Sequence, residues 1–588
     1  MRLDPLSRSI PKTQPLTSAP PGSISGTRNA ALTAPLTERD ALALSGSPTG
    51  SSSLSDVVAR AKAATAAAPK TEWTMAVNLA ASLGDRFGAV SKSQQLKDLA
   101  KETEGKPVTF VAQQVTVGDN GPMVERFVVK DGKVTSQGVR PSAGFAQDLS
   151  DLTSWAAAEH PAKRMGVIIQ SHGNAIDGMS GDNGHAELGE IASALQGGLK
   201  ASGRDKLDLL DFDACLMGQQ EVVQAMRGLA DHVVASSEIE LANDSTLGEN
   251  VDGQPMREML RALLADPEMD AAAFAKRTVD LASQAARPFD ADKDGVVDPG
   301  TTPINATPTL AHFDMAHAGP MAEALDQLGS ALSTAMKDPA SKRVIEDIIA
   351  RSPRFSPGVN LDAANRHQRD LKGFSEGLQA AIASGKLADP SGKIHGALQD
   401  SLKALDDLVG ANFGVEHLDL PGGTPQDYSQ MGGMGVFLPS AEFVRGTPET
   451  LASPLTRLQA HAEDVAKQFA ESDAKGDLRP LRDLFVDGSS DELGKVWRAL
   501  PPERRAEFEP LAEAHERLSQ AGPAEFEQAV RAFADVAAQV QAAGMDGPSL
   551  EQNKADREAW VNEVFSLAEP HMAEGWKHFV NTLREGGH

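Results

Sequence analysis

Two short runs, Met165–Gln170 (MGVIIQ) and Leu207–Phe212 (LDLLDF), are almost continuously apolar and too brief to be helices. Runs of that kind fit strands buried on both faces, which means a parallel sheet covered by helices. Between them Leu188–Leu199 has helical spacing, and a helix over Leu216–Ala230 and a strand at His232–Ala235 follow. Such alternation is joined by right-handed crossovers. Val108–Ala112 and Arg126–Val129 read as further strands, and Asp131-Gly132 as a tight turn into Lys133-Val134. Phe145–Ala158, Met321–Met336 and Leu371–Ala383 read as helices, and Thr309–Asp314 and Gly435–Leu438 as strands. Beyond Pro439 the strand patterns stop, and amphipathic runs such as FEQAVRAFADVAAQVQAA predict a helical bundle. The expected fold class is α/β, a mostly parallel sheet flanked by helices, with an α-helical C-terminal region.

A chain of 588 residues is more than one core usually serves. The composition divides it into a leader at 1–70, an α/β domain at 71–445 and a helical domain at 446–588. The leader is rich in Ser, Pro, Thr, Ala and Gly and buries too little apolar surface to order itself, so disorder is expected. It is basic, whereas the whole chain carries 56 Lys and Arg against 82 Asp and Glu, a net charge of −26. A solvated tail and an uncleaved export signal both fit that contrast. The overall charge repels nucleic acid and anionic lipid, and aromatics at 4% supply no stacking platform. No stretch has the roughly 18 uninterrupted apolar residues of a spanning helix, and Arg2 is not followed by the apolar core of a signal peptide. Location is left open between the cytoplasm and an export route that reads no apolar signal.

The chain has one cysteine, which excludes internal disulfides and Cys-based zinc cages. Both apolar runs end in reactive residues. The first leads into Ser171-His172-Gly173-Asn174 and the second into Asp213-Ala214-Cys215-Leu216-Met217. In open parallel sheets ligands bind beyond the carboxyl ends of the strands, so one crossover would deliver His172 and Cys215 to the same rim. A helix starting at Cys215 would lower its pKa through free N–H groups. An imidazole beside it could serve as base for attack and acid for the leaving amine. A buried filler cysteine and a strand-ending histidine are the plainer alternatives.

From Gly166 to Glu238 the text SHG … LDLLDFDACLMGQQEVVQAMRGLADHVVASSE resembles the clostripain family of cysteine peptidases, relatives of caspases, gingipains and legumain. Weaker similarity extends over about 75 to 440, through TLAHFDMAHAGPMAEALDQLGSAL, RDLKGFSEGL and MGVFLPS. The resemblance implies a caspase-like fold and a cysteine endopeptidase acting through a thioester acyl-enzyme. Cys215 would be the nucleophile, His172 the general acid and base, and the N–H groups of Gly173 and Cys215 the oxyanion hole. Each such donor is worth about 3 kcal/mol. Asp213 matches the family position lining the primary pocket, where its carboxylate would select protein or peptide substrates with Arg or Lys before the scissile bond. Its alternative role is to cap the following helix. Asp244 is a candidate second pocket acid. Where the family commonly has a second Gly and a Trp after His-Gly, this chain has Asn174 and Ala175. Some members cut themselves. The loop Asn174–His185 has no Lys or Arg, so processing, if required, is expected near Arg60, Lys62 or Lys70.

A separate acidic stretch places Asp290, Asp292, Asp294 and Asp298 at positions 1, 3, 5 and 9 of a calcium loop, with Gly295 at the sharp turn. Thr301 stands at position 12 instead of the bidentate Glu, so a weak, structural calcium site is the expectation, and no organic cofactor is expected. Two further functional readings stay open. One is the same dyad with Asn or Asp specificity. The other is an inactive calcium-binding protein whose C-terminal helices bind an unidentified protein partner.

Overall fold

The structure, a computed structural model, describes residues 71–81, 92–118, 121–240, 254–286, 307–355, 367–415, 427–446 and 451–471. It further describes scattered positions within 485–499, then 500–522, 525–545 and 550–585. The leader at 1–70 lies outside these residues, as do Asp244 and the acidic loop with Asp290, Asp292, Asp294 and Asp298. In chain order the strands are β1 (Trp73–Leu79), β2 (Val108–Gly118), β3 (Gly121–Lys130), β4 (Lys133–Pro141), β5 (Arg164–Gln170), β6 (His172–Gly173) and β7 (Met179–Gly181). They continue with β8 (Gly184–Ala186), β9 (Leu207–Asp213), β10 (Ala230–Ala235), β11 (Thr309–Asp314), β12 (Gln368–Asp370), β13 (Val409–Gly414) and β14 (Gly435–Phe437).

Nine of these form one sheet in the order β13-β11-β10-β9-β5-β1-β2-β3-β4. The pairs β2–β1, β1–β5, β5–β9 and β9–β10 are parallel. Antiparallel pairs extend both edges, β3 and β4 on one side, β11 and β13 on the other. This is the expected α/β class, with β5 and β9 adjacent as their apolar sequences require. The crossover between them is the helix Leu188–Ser202. Strand β1 was not singled out by its pattern, yet every residue of WTMAVNL is buried. Thr74 and Asn78 interrupt its apolar run, and both find polar partners inside: Thr74 donates to the His160 carbonyl at 2.6 Å and Asn78 accepts from Gln113 at 2.8 Å.

Helices cover both faces. Phe145–Glu159, Leu188–Ser202, Ala318–Ala335, Leu371–Ala383 and Lys393–Leu408 enclose the larger core, which takes Leu210 and Phe212 from β9. Lys92–Asp98, Met256–Ala265 and Ala271–Ala285 enclose the smaller core, which takes Leu209 from the same strand. The alternation along β9 therefore aims Asp211 and Asp213 toward the second face. The expected helix over Leu216–Ala230 is much shorter, Gln220–Ala225. The residues from Ala214 to Gln219 are spent on a turn instead.

The C-terminal region divides. Pro454–Glu471, Glu509–Gln520 and Phe526–Ala542 share a core of their own, with Leu458, Phe485, Phe508, Phe526 and Phe533. The last long helices, Leu550–Ala568 and Glu574–Glu585, pack onto the α/β core through Phe565, Trp576, Phe579 and Leu583. Trp576 meets Phe374 edge-on at 6.1 Å, and Phe565 meets Phe437 at 5.5 Å. Close approach to the helix Ala318–Ala335 depends on two glycines. A Cβ on Gly575 would fall 2.0 Å from the Asp326 carbonyl oxygen, and one on Gly329 would fall 2.4 Å from Gly575. Gly575→Val is therefore expected to lift the last helix and lower stability by about 1–3 kcal/mol, measured as a fall in Tm by circular dichroism; an unchanged Tm would refute this packing.

Candidate active site

The pairing of β5 with β9 places Gln170 opposite Asp213. The Ser171 N–H then donates to the Asp213 carbonyl at 3.3 Å. His172 and Cys215 each follow that register pair by two residues, so both strand ends reach the same rim. His172 and Gly173 form β6, which pairs His172 with Ser180 and Gly173 with Met179. The Ser171 hydroxyl ties the same hairpin down through the Ser180 carbonyl at 2.6 Å. His172 is exposed, Gly173 buried, and Cys215 half-buried.

The two segments are in direct contact through the backbone. A Cβ at Gly173 would lie 2.0 Å from the Cys215 carbonyl oxygen and 2.9 Å from Met217 Cγ. Only glycine lets the peptide behind His172 approach the peptide of the cysteine so closely. Backbone strain flanks the contact. Ala175 has φ +54° and Leu216 φ +62°, both in the left-handed region that non-glycine residues rarely adopt. Ala175 and Leu216 are held there by a small apolar cluster with Phe355, Tyr428 and Met431.

Cys215 lies on this turn and not at a helix N-terminus, since the next helix begins at Gln220. The expected lowering of its pKa by helical N–H groups is thus corrected. Burial pushes the Cys215 thiol from 9.0 up to about 12, and the charges of Glu240 and Glu238 add to the push. The Glu240 N–H points at the sulfur at 3.3 Å, and the thiol faces the Glu240 carbonyl at 3.7 Å. Glu238 is locked in place: its carboxylate accepts from the Tyr428 hydroxyl at 2.6 Å and from the Ile239 N–H at 2.7 Å. Leu216 N–H donates to the Glu238 carbonyl at 3.0 Å, which couples the cysteine turn to this anchor.

Asp213 does not cap a helix. It is buried and ion-paired with Lys92, and it accepts the Gln254 N–H at 3.0 Å. Gln254 also donates from its side chain to the Phe212 carbonyl at 2.9 Å. Two more carboxyls surround the pair. Asp211 is fully buried, and burial followed by the charge of Asp213 raises its pKa well above the usual range. Glu240 is raised in the same way, by burial and then by Asp213. The sequence reading missed Lys92, Gln254 and Glu240, which carry no local signature. Asp211 was detectable, as it shares a face with Asp213 in an otherwise apolar strand. Among the described residues no group of three or more His, Cys, Asp or Glu could hold a metal ion, and no helix is long and apolar enough to cross a membrane.

The clostripain family model matches residues 132–358, a span that holds both strand ends. Over this span, somewhat under two fifths of the chain, the protein is similar to clostripain-type cysteine peptidases. Similar solved structures include a secreted C11 cysteine protease from Bacteroides thetaiotaomicron in complex with an irreversible peptide inhibitor, 15% identical, with 62% of this chain and 92% of that one covered and a TM-score of 0.42. An inactive zymogen C11 protease from Parabacteroides distasonis is 14% identical, with 63% and 92% covered and a TM-score of 0.42. No curated protein matches the chain.

The raised thiol has a direct consequence. At pH 7 an ordinary thiol near 9.0 is about a thousandfold richer in thiolate than one at about 12. Iodoacetamide is therefore expected to alkylate Cys215 in the free protein far more slowly than an unstructured cysteine peptide, with the rate still rising above pH 9. Equal rates, followed by mass spectrometry, would contradict the burial argument.

Proposed function

We propose that the protein is an endopeptidase in which Cys215 is the nucleophile and His172 the general acid and base, cutting after Arg or Lys. The observation that carries this reading is the shared register of β5 and β9, which brings His172 and Cys215 beyond one strand pair, with Gly173 against the Cys215 peptide. The thiol is protonated at rest, so His172 would take the proton as the sulfur attacks the scissile carbonyl carbon. The tetrahedral oxyanion would be met by the N–H groups of Gly173 and Cys215. Its collapse would break the C–N bond, with His172 returning the proton to the amine and leaving a thioester. Water, deprotonated by His172, would then attack the thioester carbonyl and release the acid and the thiol.

Asp213 supports the basic preference, because it already holds an ammonium group in a buried setting. A charge-assisted pair there favours a cation over a neutral side chain. The same contact also favours a second reading: a carboxylate that is neutralised by Lys92 leaves a pocket suited to Asn or Asp.

Fluorogenic amides of Arg, Lys, Asn and Asp separate the two. Turnover of arginyl or lysyl substrate is expected, lost in Cys215→Ala and reduced about 10²- to 10⁴-fold in His172→Ala. Cleavage confined to aspartyl or asparaginyl substrate would select the second reading. The calcium reading at Asp290, Asp292, Asp294 and Asp298 is proposed from their spacing alone. Titration calorimetry of chelator-treated protein should show weak calcium binding that is lost in Asp292→Asn, and the absence of any heat would discard it.

A further inference from the structure

We propose that Lys92 is a built-in occupant of the primary pocket, seated on Asp213 where a substrate's basic side chain would bind, and displaced by that side chain. The inference rests on the basic preference proposed above. It begins with position. Asp213 stands two residues before Cys215 on the strand that carries the sulfur to the rim, and Lys92 reaches its carboxylate from a helix far away in sequence. The ammonium also donates to the Gln254 carbonyl at 3.1 Å, while the Gln254 N–H occupies the other Asp213 oxygen at 3.0 Å. Lys92 thus makes the contacts that a lysyl or arginyl side chain would make: one carboxylate oxygen and one backbone carbonyl.

Several features mark Lys92 as a replaceable occupant. It is the first residue of the helix Lys92–Asp98, where a cation opposes the helix dipole. The apolar core contacts of this segment come from Leu96 and Leu99, one turn or more beyond the lysine. Among the described residues the Lys92 ammonium is the cation that acts on Asp213, Asp211 and Glu240, and both of the latter are held toward their neutral forms by burial and by Asp213. An incoming guanidinium with five donors can engage more of these oxygens than the ammonium does. A buried ion pair of this kind contributes little net stability, so exchange of one cation for another is not opposed by the fold.

Two measurements test this on the full-length protein. In the first, calorimetry gives the affinity for benzamidine, a small cation that mimics the substrate side chain. Lys92→Met, which keeps the apolar stem, is expected to bind it at least tenfold more tightly than the wild type, and Asp213→Asn is expected to abolish binding. Unchanged or weaker binding by Lys92→Met would identify the lysine as a fixed counter-ion and overturn the proposal. The second uses the wild type alone, in case the variant does not fold. Acetic anhydride labelling of Lys92, read by mass spectrometry, should rise at least fivefold when a peptidyl argininal saturates the protein. Persistent protection of Lys92 with the argininal bound would sink the displacement while leaving the basic preference intact. Failure of both cations to bind, in a protein that turns over asparaginyl or aspartyl substrate, would overturn the basic preference and this inference with it.

Discussion

Parallel pairing of β5 with β9 sets Gln170 opposite Asp213, and the site follows from that register. One step beyond the pair the chains stop behaving as strands. The first folds back as the β6–β7–β8 hairpin, and the second enters a turn through Leu216. Both departures place non-glycine residues at positive φ, and both rest on the same apolar cluster. Strain of that kind persists only where packing over-determines it. Here the packing comes from Phe355 and Tyr428, which belong to segments remote from either strand.

Electrostatics at the rim are governed by burial more than by the acidity of the whole chain. Most of the −26 charge is solvated and screened. Asp211, Asp213 and Glu240 are different: they crowd one site, where burial and the charge of Asp213 make ionised Asp211 and Glu240 costly. Lys92 offsets one of them. The same environment keeps the cysteine as a thiol, so ionisation has to accompany proton transfer to a base and does not precede it.

Much of the fold was legible because the strands buried on both faces leave an unmistakable apolar run. Thr309–Asp314 and Leu371–Ala383 are observed with the bounds their patterns suggest. Strand β1 was harder to see, since Thr74 and Asn78 satisfy their polar groups within the core and break the run. The helix after Cys215 was overestimated. Leu216, Met217 and Gln219 have helix-compatible side chains, but Gly218 does not favour a helix, and the turn is held by Leu216 N–H to Glu238 and Gly218 N–H to Ser236 at 3.0 and 2.6 Å. Likewise, Leu550–Ala568 has only a weak apolar stripe, and nothing in its sequence tells whether it joins the neighbouring bundle or the α/β core.

The amino-acid order alone determined the alternation of strands and helices, and it put one histidine and one cysteine immediately after two buried strands. Those properties are local: apolar periodicity and chain direction act over a few residues. Which charges surround the sulfur was decided only by the tertiary structure. Lys92, Asp213 and Gln254 are separated by 121 and 41 positions along the chain, yet they share hydrogen bonds. Coulomb forces and desolvation act through space, and no neighbour in the sequence records them.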